Sequence, residues 1–254
     1  SEDEVTLKLV GTLLGLALTT ALLGIAPDSP WAHLALMAVL CMLFRWLANA
    51  HYGVAVAALT GYRVVAVRYR LAPENGFPAG VEDAVAVYRA LLKEHDPKAI
   101  GVYGTSAGAI LSAELVARLR ADKLPQPAAL GFFSGAADLS AVGDSAGLFA
   151  DASGVDALAR LYAGERTTHD PLVSPQRGDL AGWPATLCLA STRDFLLSGT
   201  ADFCRALDGA GSPAKLIVFD GLPHAFWAYI DAPETDAAFA VMARFFIASL
   251  GAEK

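Results

Sequence analysis

From residue 60 onward, short apolar runs alternate with stretches whose apolar residues recur at helical spacing, and this alternation narrows the fold more than any other feature. The runs at 63–67 (RVVAV), 99–103, 128–133, 185–190 and 215–219 read as buried strands. Residues 80–95 carry Val81, Ala84, Val85, Tyr88, Leu91 and Leu92 at helical spacing, 107–121 reads as a second helix, and 198–210 and 235–250 as two more. Continuous apolar strands separated by helices predict an α/β fold with a mostly parallel central sheet and helices on both faces.

Two Gly-x-Ser-x-Gly pentads lie on this pattern, Gly104-Thr105-Ser106-Ala107-Gly108 and Gly143-Asp144-Ser145-Ala146-Gly147. A nucleophile elbow needs a strand that runs into a tight turn and then a helix, so that the hydroxyl is lifted above the sheet. Ser106 has that context, with a strand-like run before it and a helix after it. Ser145 follows a polar stretch and reads as a plain loop serine. The expected nucleophile is therefore Ser106.

A serine hydroxyl needs a base to take its proton, and the base needs an orienting acid. His224 lies in a turn just after the run at 215–219, and Asp194 just after the run at 185–190. Both fall at strand carboxyl ends, where an open α/β sheet gathers its ligands. The order Ser106, Asp194, His224 is the one expected on an α/β-hydrolase sheet. His33, His51, His95 and His169 have no such setting.

Further motifs carry a family resemblance. Residues 51–254 resemble the hormone-sensitive-lipase-like branch of the α/β-hydrolase carboxylesterases, through Tyr69-Arg70-Leu71-Ala72-Pro73-Glu74, Phe77-Pro78-Ala79, Glu82-Asp83-Ala84, the elbow pentad, Asp170-Pro171-Leu172-Val173-Ser174-Pro175, Arg193-Asp194 and Gly221-Leu222-Pro223-His224-Ala225-Phe226. The resemblance implies hydrolysis of small ester substrates through an acyl-enzyme, with Ser106 as nucleophile, His224 as base and Asp194 as its orienter. It implies no metal and no organic cofactor. The backbone N–H of Ala107, next to the nucleophile, would donate to the oxyanion.

The family pattern breaks upstream. Its His-Gly-Gly-Gly loop, which supplies further oxyanion donors, would fall near 37–40, where this chain reads Met-Ala-Val-Leu, and no His-Gly pair occurs in the first 60 residues. Arg68 stands where the family usually has Asp. The region before residue 51 is shorter than the family's by several tens of residues.

That region differs in composition too. Between residues 5 and 50 the only formal charges are Lys8, Asp28 and Arg45, and two uncharged runs, 9–26 and 31–44, flank Pro27-Asp28-Ser29-Pro30. The expected organisation is an apolar segment at 1–50 and a catalytic domain at 51–254. Three readings of the segment compete: a truncated cap that also replaces a central strand through 34–43, a membrane hairpin within 9–44, or the product of an altered reading frame or fusion. The acidic start SEDE lacks the positive charge of a secretory signal. The expected location is cytoplasmic, with membrane association as the alternative.

A net charge of −7, from 19 Lys+Arg and 26 Asp+Glu, argues against nucleic acid as a partner. Cys41, Cys188 and Cys204 are too few and too widely spaced for a disulfide framework or a zinc site. The leading expectation is a serine carboxylesterase for short acyl esters with a weakened oxyanion hole. The competing one is a non-catalytic or membrane-tethered binding protein on a hydrolase scaffold.

Overall fold

The structure is a computed structural model that describes residues 57–250. Four strands, β1 (Gly101–Thr105), β2 (Ala129–Phe133), β3 (Ala185–Arg193) and β4 (Ala214–Pro223), form a parallel sheet in the order β1-β2-β3-β4. Helix α1 (Ala79–Leu91) precedes β1, and α2 (Ala107–Ala121) joins β1 to β2. The β2–β3 connection carries α3 (Asp144–Phe149) and α4 (Ala152–Ala163). Helix α5 (Leu197–Gly209) joins β3 to β4, and α6 (Pro233–Leu250) follows β4. This is a parallel sheet with helices between its strands, as the alternation of apolar runs and helical stretches predicts.

The pleat sends alternate residues to opposite faces. On one face, Leu130, Phe132 and Cys188 meet Ala109, Ala113 and Val116 of α2 and Phe203 and Leu207 of α5. The rings of Phe132 and Phe203 stand 4.7 Å apart, and both residues are fully buried. On the other face, Tyr103 packs against Phe246 of α6, with centroids 5.5 Å apart, and Phe133 against Trp227. Coverage is incomplete at the β4 edge, where Leu216 and Val218 are 38% and 40% exposed. Among the described residues β4 has a strand neighbour on one side only, so the layers thin out there.

The run at 63–67 is not a strand. Residues 61–70 form no regular element, and Val65 is 42% exposed. A strand exists only through its ladder, and among the described residues none pairs with this segment. Residues 80–95 also end early as a helix, at Leu91, with Pro97 shortly beyond.

The family-like motifs prove structural. The backbone N–H of Arg70 donates to Asp83 at 2.8 Å, and its guanidinium reaches both oxygens of that carboxylate and the Ala79 carbonyl. Arg70 thus pins the loop before α1 to its first turns and holds the Asp83 carboxyl below its usual range. Asp170 turns its own loop by accepting from the Leu172 N–H, and Ser174 accepts from the Leu139 N–H at the exit of β2.

One buried carboxyl lies away from the strand ends. Glu114 of α2 is fully buried; it accepts from the Tyr162 hydroxyl of α4 at 2.5 Å, and its Oε1 has no partner among the described residues. Burial pushes the Glu114 carboxyl well above its ordinary range, against the opposing pull of the Tyr162 bond.

The expected domain boundary at 50/51, the runs 9–26 and 31–44, and residues 37–40 all lie outside the described residues. Among the described residues no helix is long and apolar enough to cross a membrane.

Candidate active site

The site is built at the carboxyl ends of the strands. β1 ends at Thr105 and α2 begins at Ala107, leaving one residue, Ser106, to reverse the chain. Its φ of 58° and ψ of −123° lie where L-residues are strained. The reversal brings strand and helix so close that a Cβ on Gly104 would sit 2.0 Å from the carbonyl oxygen of Gly108. Only glycine fits there, which is the physical content of the pentad's first position. The Ser106 N–H donates to the Phe133 carbonyl at 2.9 Å and ties the elbow to β2.

β3 delivers Asp194, and β4 delivers His224. Ser106 Oγ is 2.9 Å from His224 Nε2, and His224 Nδ1 is 2.7 Å from Asp194 Oδ1. A neutral imidazole with its proton on Nδ1 satisfies both contacts: Nδ1–H donates to the carboxylate and Nε2 accepts from the serine hydroxyl. Asp194 is fully buried. Its Oδ1 also accepts from the Leu196 N–H at 2.8 Å, and its Oδ2 accepts from the Ser134 hydroxyl.

The base has its own supports. The Tyr229 hydroxyl donates to the His224 carbonyl at 2.6 Å, and the Phe195 ring lies 4.4 Å from the imidazole. Ser191 Oγ donates to the Pro223 carbonyl at 3.0 Å, so β3 fixes the end of β4 from which the histidine projects. The Tyr229 hydroxyl is shifted upward by burial and by the charge of Asp194.

Ala107 begins α2 and is exposed. The first N–H groups of a helix have no partner within it and sit at the positive end of its dipole. Negative charge developing beside Ser106 would find that donor in place.

The structure thus brings Ser106, Asp194 and His224 together and leaves Ala107 beside them. It does not leave Ser145 as a plain loop serine. Ser145 is only 4% exposed, sits in the first turn of α3, and hydrogen-bonds the segment that follows Asp194. Sequence reasoning also missed Ser134, Phe195 and Tyr229. The only trace of Ser134 in the sequence is a polar residue directly after an apolar strand.

A family profile described as alpha/beta hydrolase fold matches residues 48–228. A second, described as fusaric acid resistance protein-like, matches residues 3–92, less than half of the chain and mostly outside the described residues. An acetyl-hydrolase of Streptomyces hygroscopicus is 32% identical over 214 residues, which cover 80% of this chain and 71% of that protein. An esterase of Acinetobacter venetianus is 29% identical over 199 residues, covering 75% and 66%. Among solved structures, an esterase superposes with a TM-score of 0.72 at 37% identity, covering 78% of this chain and 63% of that one. An esterase from the bacterial hormone-sensitive lipase family gives a TM-score of 0.74 at 34% identity, covering 78% and 69%. The chain therefore spans about two thirds of the length of the proteins it resembles.

Proposed function

Because the chain belongs to the α/β-hydrolase-fold family, in its hormone-sensitive-lipase-like branch, we propose that it is a carboxylic ester hydrolase acting on short-chain esters through an acyl-enzyme on Ser106. The observation that carries the reading is the unbroken relay from Ser106 Oγ through His224 to a buried Asp194. The relatives described as acetyl-hydrolase and esterase support the same class of substrate.

In this reading Ser106 Oγ attacks the ester carbonyl while His224 Nε2 takes its proton. Asp194 stabilises the imidazolium that results and keeps Nε2 aimed at the serine. The carbonyl oxygen becomes an oxyanion, and the Ala107 N–H donates to it at the positive end of α2. Collapse of the tetrahedral adduct breaks the bond to the leaving oxygen, which takes the proton from His224 and departs as the alcohol. Water then repeats the sequence with His224 as base, and the carboxylic acid leaves.

The further oxyanion donors of the family come from a Gly-rich loop that this sequence does not repeat. The oxyanion hole is accordingly weaker than the family norm. The test is turnover of p-nitrophenyl butyrate beside a Ser106→Ala control. Hydrolysis that depends on Ser106 supports the reading. Hydrolysis that survives the substitution overturns the assignment of the nucleophile.

A further inference from the structure

The second pentad is bound to the acid turn rather than to a substrate. Gly143, with a φ of +87°, stands so close to α5 that a Cβ on it would lie 2.4 Å from Ser198 Cβ. This approach lets two serines exchange hydrogen bonds. The Ser145 N–H donates to Ser198 Oγ at 3.1 Å, and the Ser198 N–H donates to Ser145 Oγ at 2.9 Å. The Ser145 hydroxyl spends its own proton on the Phe195 carbonyl, at 3.0 Å.

These bonds fill a gap that α5 leaves open. The first N–H groups of a helix need acceptors from outside it, and a capping side chain normally supplies one. The N-cap residue of α5 is Leu196, which offers no side-chain acceptor. Ser145, from a different helix, accepts from Ser198 in its place. With the same oxygen it fixes the carbonyl of Phe195, the residue between Asp194 and Leu196.

Phe195 links this clamp to the relay. Its ring lies against the His224 imidazole at 4.4 Å, and its backbone continues from Asp194. The next residue, Leu196, gives its N–H to Asp194 Oδ1, the oxygen that faces His224 Nδ1. Releasing the Phe195 carbonyl would free this turn at the point that sets both the carboxylate and the wall beside the imidazole.

We infer that Ser145 is a positioning residue for hydrolysis: by capping α5 and holding the Phe195 carbonyl, it keeps Asp194 and Phe195 in register with His224. The inference rests on the proposed Ser106–His224–Asp194 relay. It differs from a purely structural role, which would alter stability or substrate binding without acting through the acid.

The experiment compares Ser145→Ala with the unaltered chain on p-nitrophenyl butyrate, each in an otherwise unaltered background and in an Asp194→Asn background. Removing the hydroxyl strands two half-buried partners, so kcat is expected to fall roughly tenfold with KM within about twofold. In the Asp194→Asn background, Ser145→Ala should add almost nothing, because residues acting through one unit are not additive. Phosphonylation of Ser106 by a fluorophosphonate should slow in parallel with kcat. Should Ser145→Ala fold poorly, Ser145→Cys keeps the volume with weaker hydrogen bonding, and an intermediate kcat is expected.

An unchanged kcat in the folded variant overturns the inference, as does a full further loss on top of Asp194→Asn. A Ser106→Ala control separates the two levels. If that control still turns over substrate, the functional reading fails; if it is inactive and Ser145→Ala is fully active, only this inference fails.

Discussion

The Ser134 hydroxyl donates to Oδ2 of Asp194 from a residue whose own backbone has a φ of +51°. Three of the four non-glycine residues with positive φ among the described residues belong to the site: Ser106 after β1, Ser134 after β2 and Ala225 just past His224. Such conformations cost about 1–3 kcal/mol each and persist only where the surroundings hold them. Here the surroundings are the carboxyl ends of three strands, and the strain aims each strand exit at the relay.

Ser134 should therefore matter for rate. Ser134→Ala leaves Asp194 Oδ2 buried without its donor while the strained backbone remains. A hydrogen bond to a charged group contributes about 1.5–3 kcal/mol, so kcat should fall roughly ten- to a hundredfold. Ser134→Gly removes the same hydroxyl but relieves the φ penalty, so it should lose rate equally and melt higher than the Ala variant. Steady-state kinetics with thermal melting checks both halves. Equal rates for Ser134→Ala and the unaltered chain would show that Oδ2 needs no partner.

Labelling distinguishes the two pentads. A fluorophosphonate should modify the tryptic peptide that carries Ser106 and leave the one carrying Ser145 unmodified. Ser106→Ala should abolish labelling and lower kcat by several orders of magnitude, as loss of the nucleophile does in comparable triads. Ser145 cannot serve in its place, because its hydroxyl is buried and already donates to the Phe195 carbonyl. Mass spectrometry that finds the label on Ser145 would reverse the assignment.

The contrast between these serines shows where the sequence was readable. The elbow at Ser106 was legible because a strand, a glycine turn and a helix are local patterns, and the strand-end places of His224 and Asp194 were legible because each lies a few residues after an apolar run. The place of Ser145 was not legible. Its partners Phe195 and Ser198 lie some fifty residues away, and no local pattern encodes them. Ser134 was hidden for the same reason. The run at 63–67 misled in the opposite sense, because its β-branched composition is strand-like while strand formation depends on a neighbour. β4 outran its apolar stretch and continues to Pro223, held to β3 across an irregularity at Ser191/Arg193.

Glu114 gives the fold a pH dependence of definite sign. Its folded carboxyl titrates well above its ordinary value of 4.5, so between those two points the folded chain holds a proton that the unfolded chain has lost. Stability falls with rising pH wherever the folded state binds more protons. The contribution of Glu114 is thus fully present below about 4.5 and is lost as pH rises through the raised folded value. Glu114→Gln removes the titration yet keeps an amide that can pair with Tyr162. The variant's melting temperature relative to the unaltered chain should therefore climb as pH rises from 4.5. Parallel melting curves across that range would show that Glu114 titrates normally.

The oxyanion argument leads to a prediction about substrates. In the proposed mechanism, attack by Ser106 needs donors already aimed at the developing charge, and Ala107, the first residue of α2, would offer one from the elbow itself. Losing a single oxyanion donor costs about 10²–10³ in kcat, or roughly 2.7–4 kcal/mol. The penalty falls hardest on esters whose alcohols leave poorly, because their tetrahedral adducts must be held longest. A nitrophenolate leaves readily and relies less on that support. Turnover of p-nitrophenyl acetate and butyrate should therefore be measurable, while ethyl esters of the same acids should be cleaved far more slowly. Matched kinetics on each acyl pair checks this, since the acyl-enzyme and its hydrolysis are common to both substrates and only acylation differs. Equal kcat/KM for the nitrophenyl and ethyl esters would show that other donors complete the hole. Arg68, which stands where the family pattern breaks, is then the first residue to substitute.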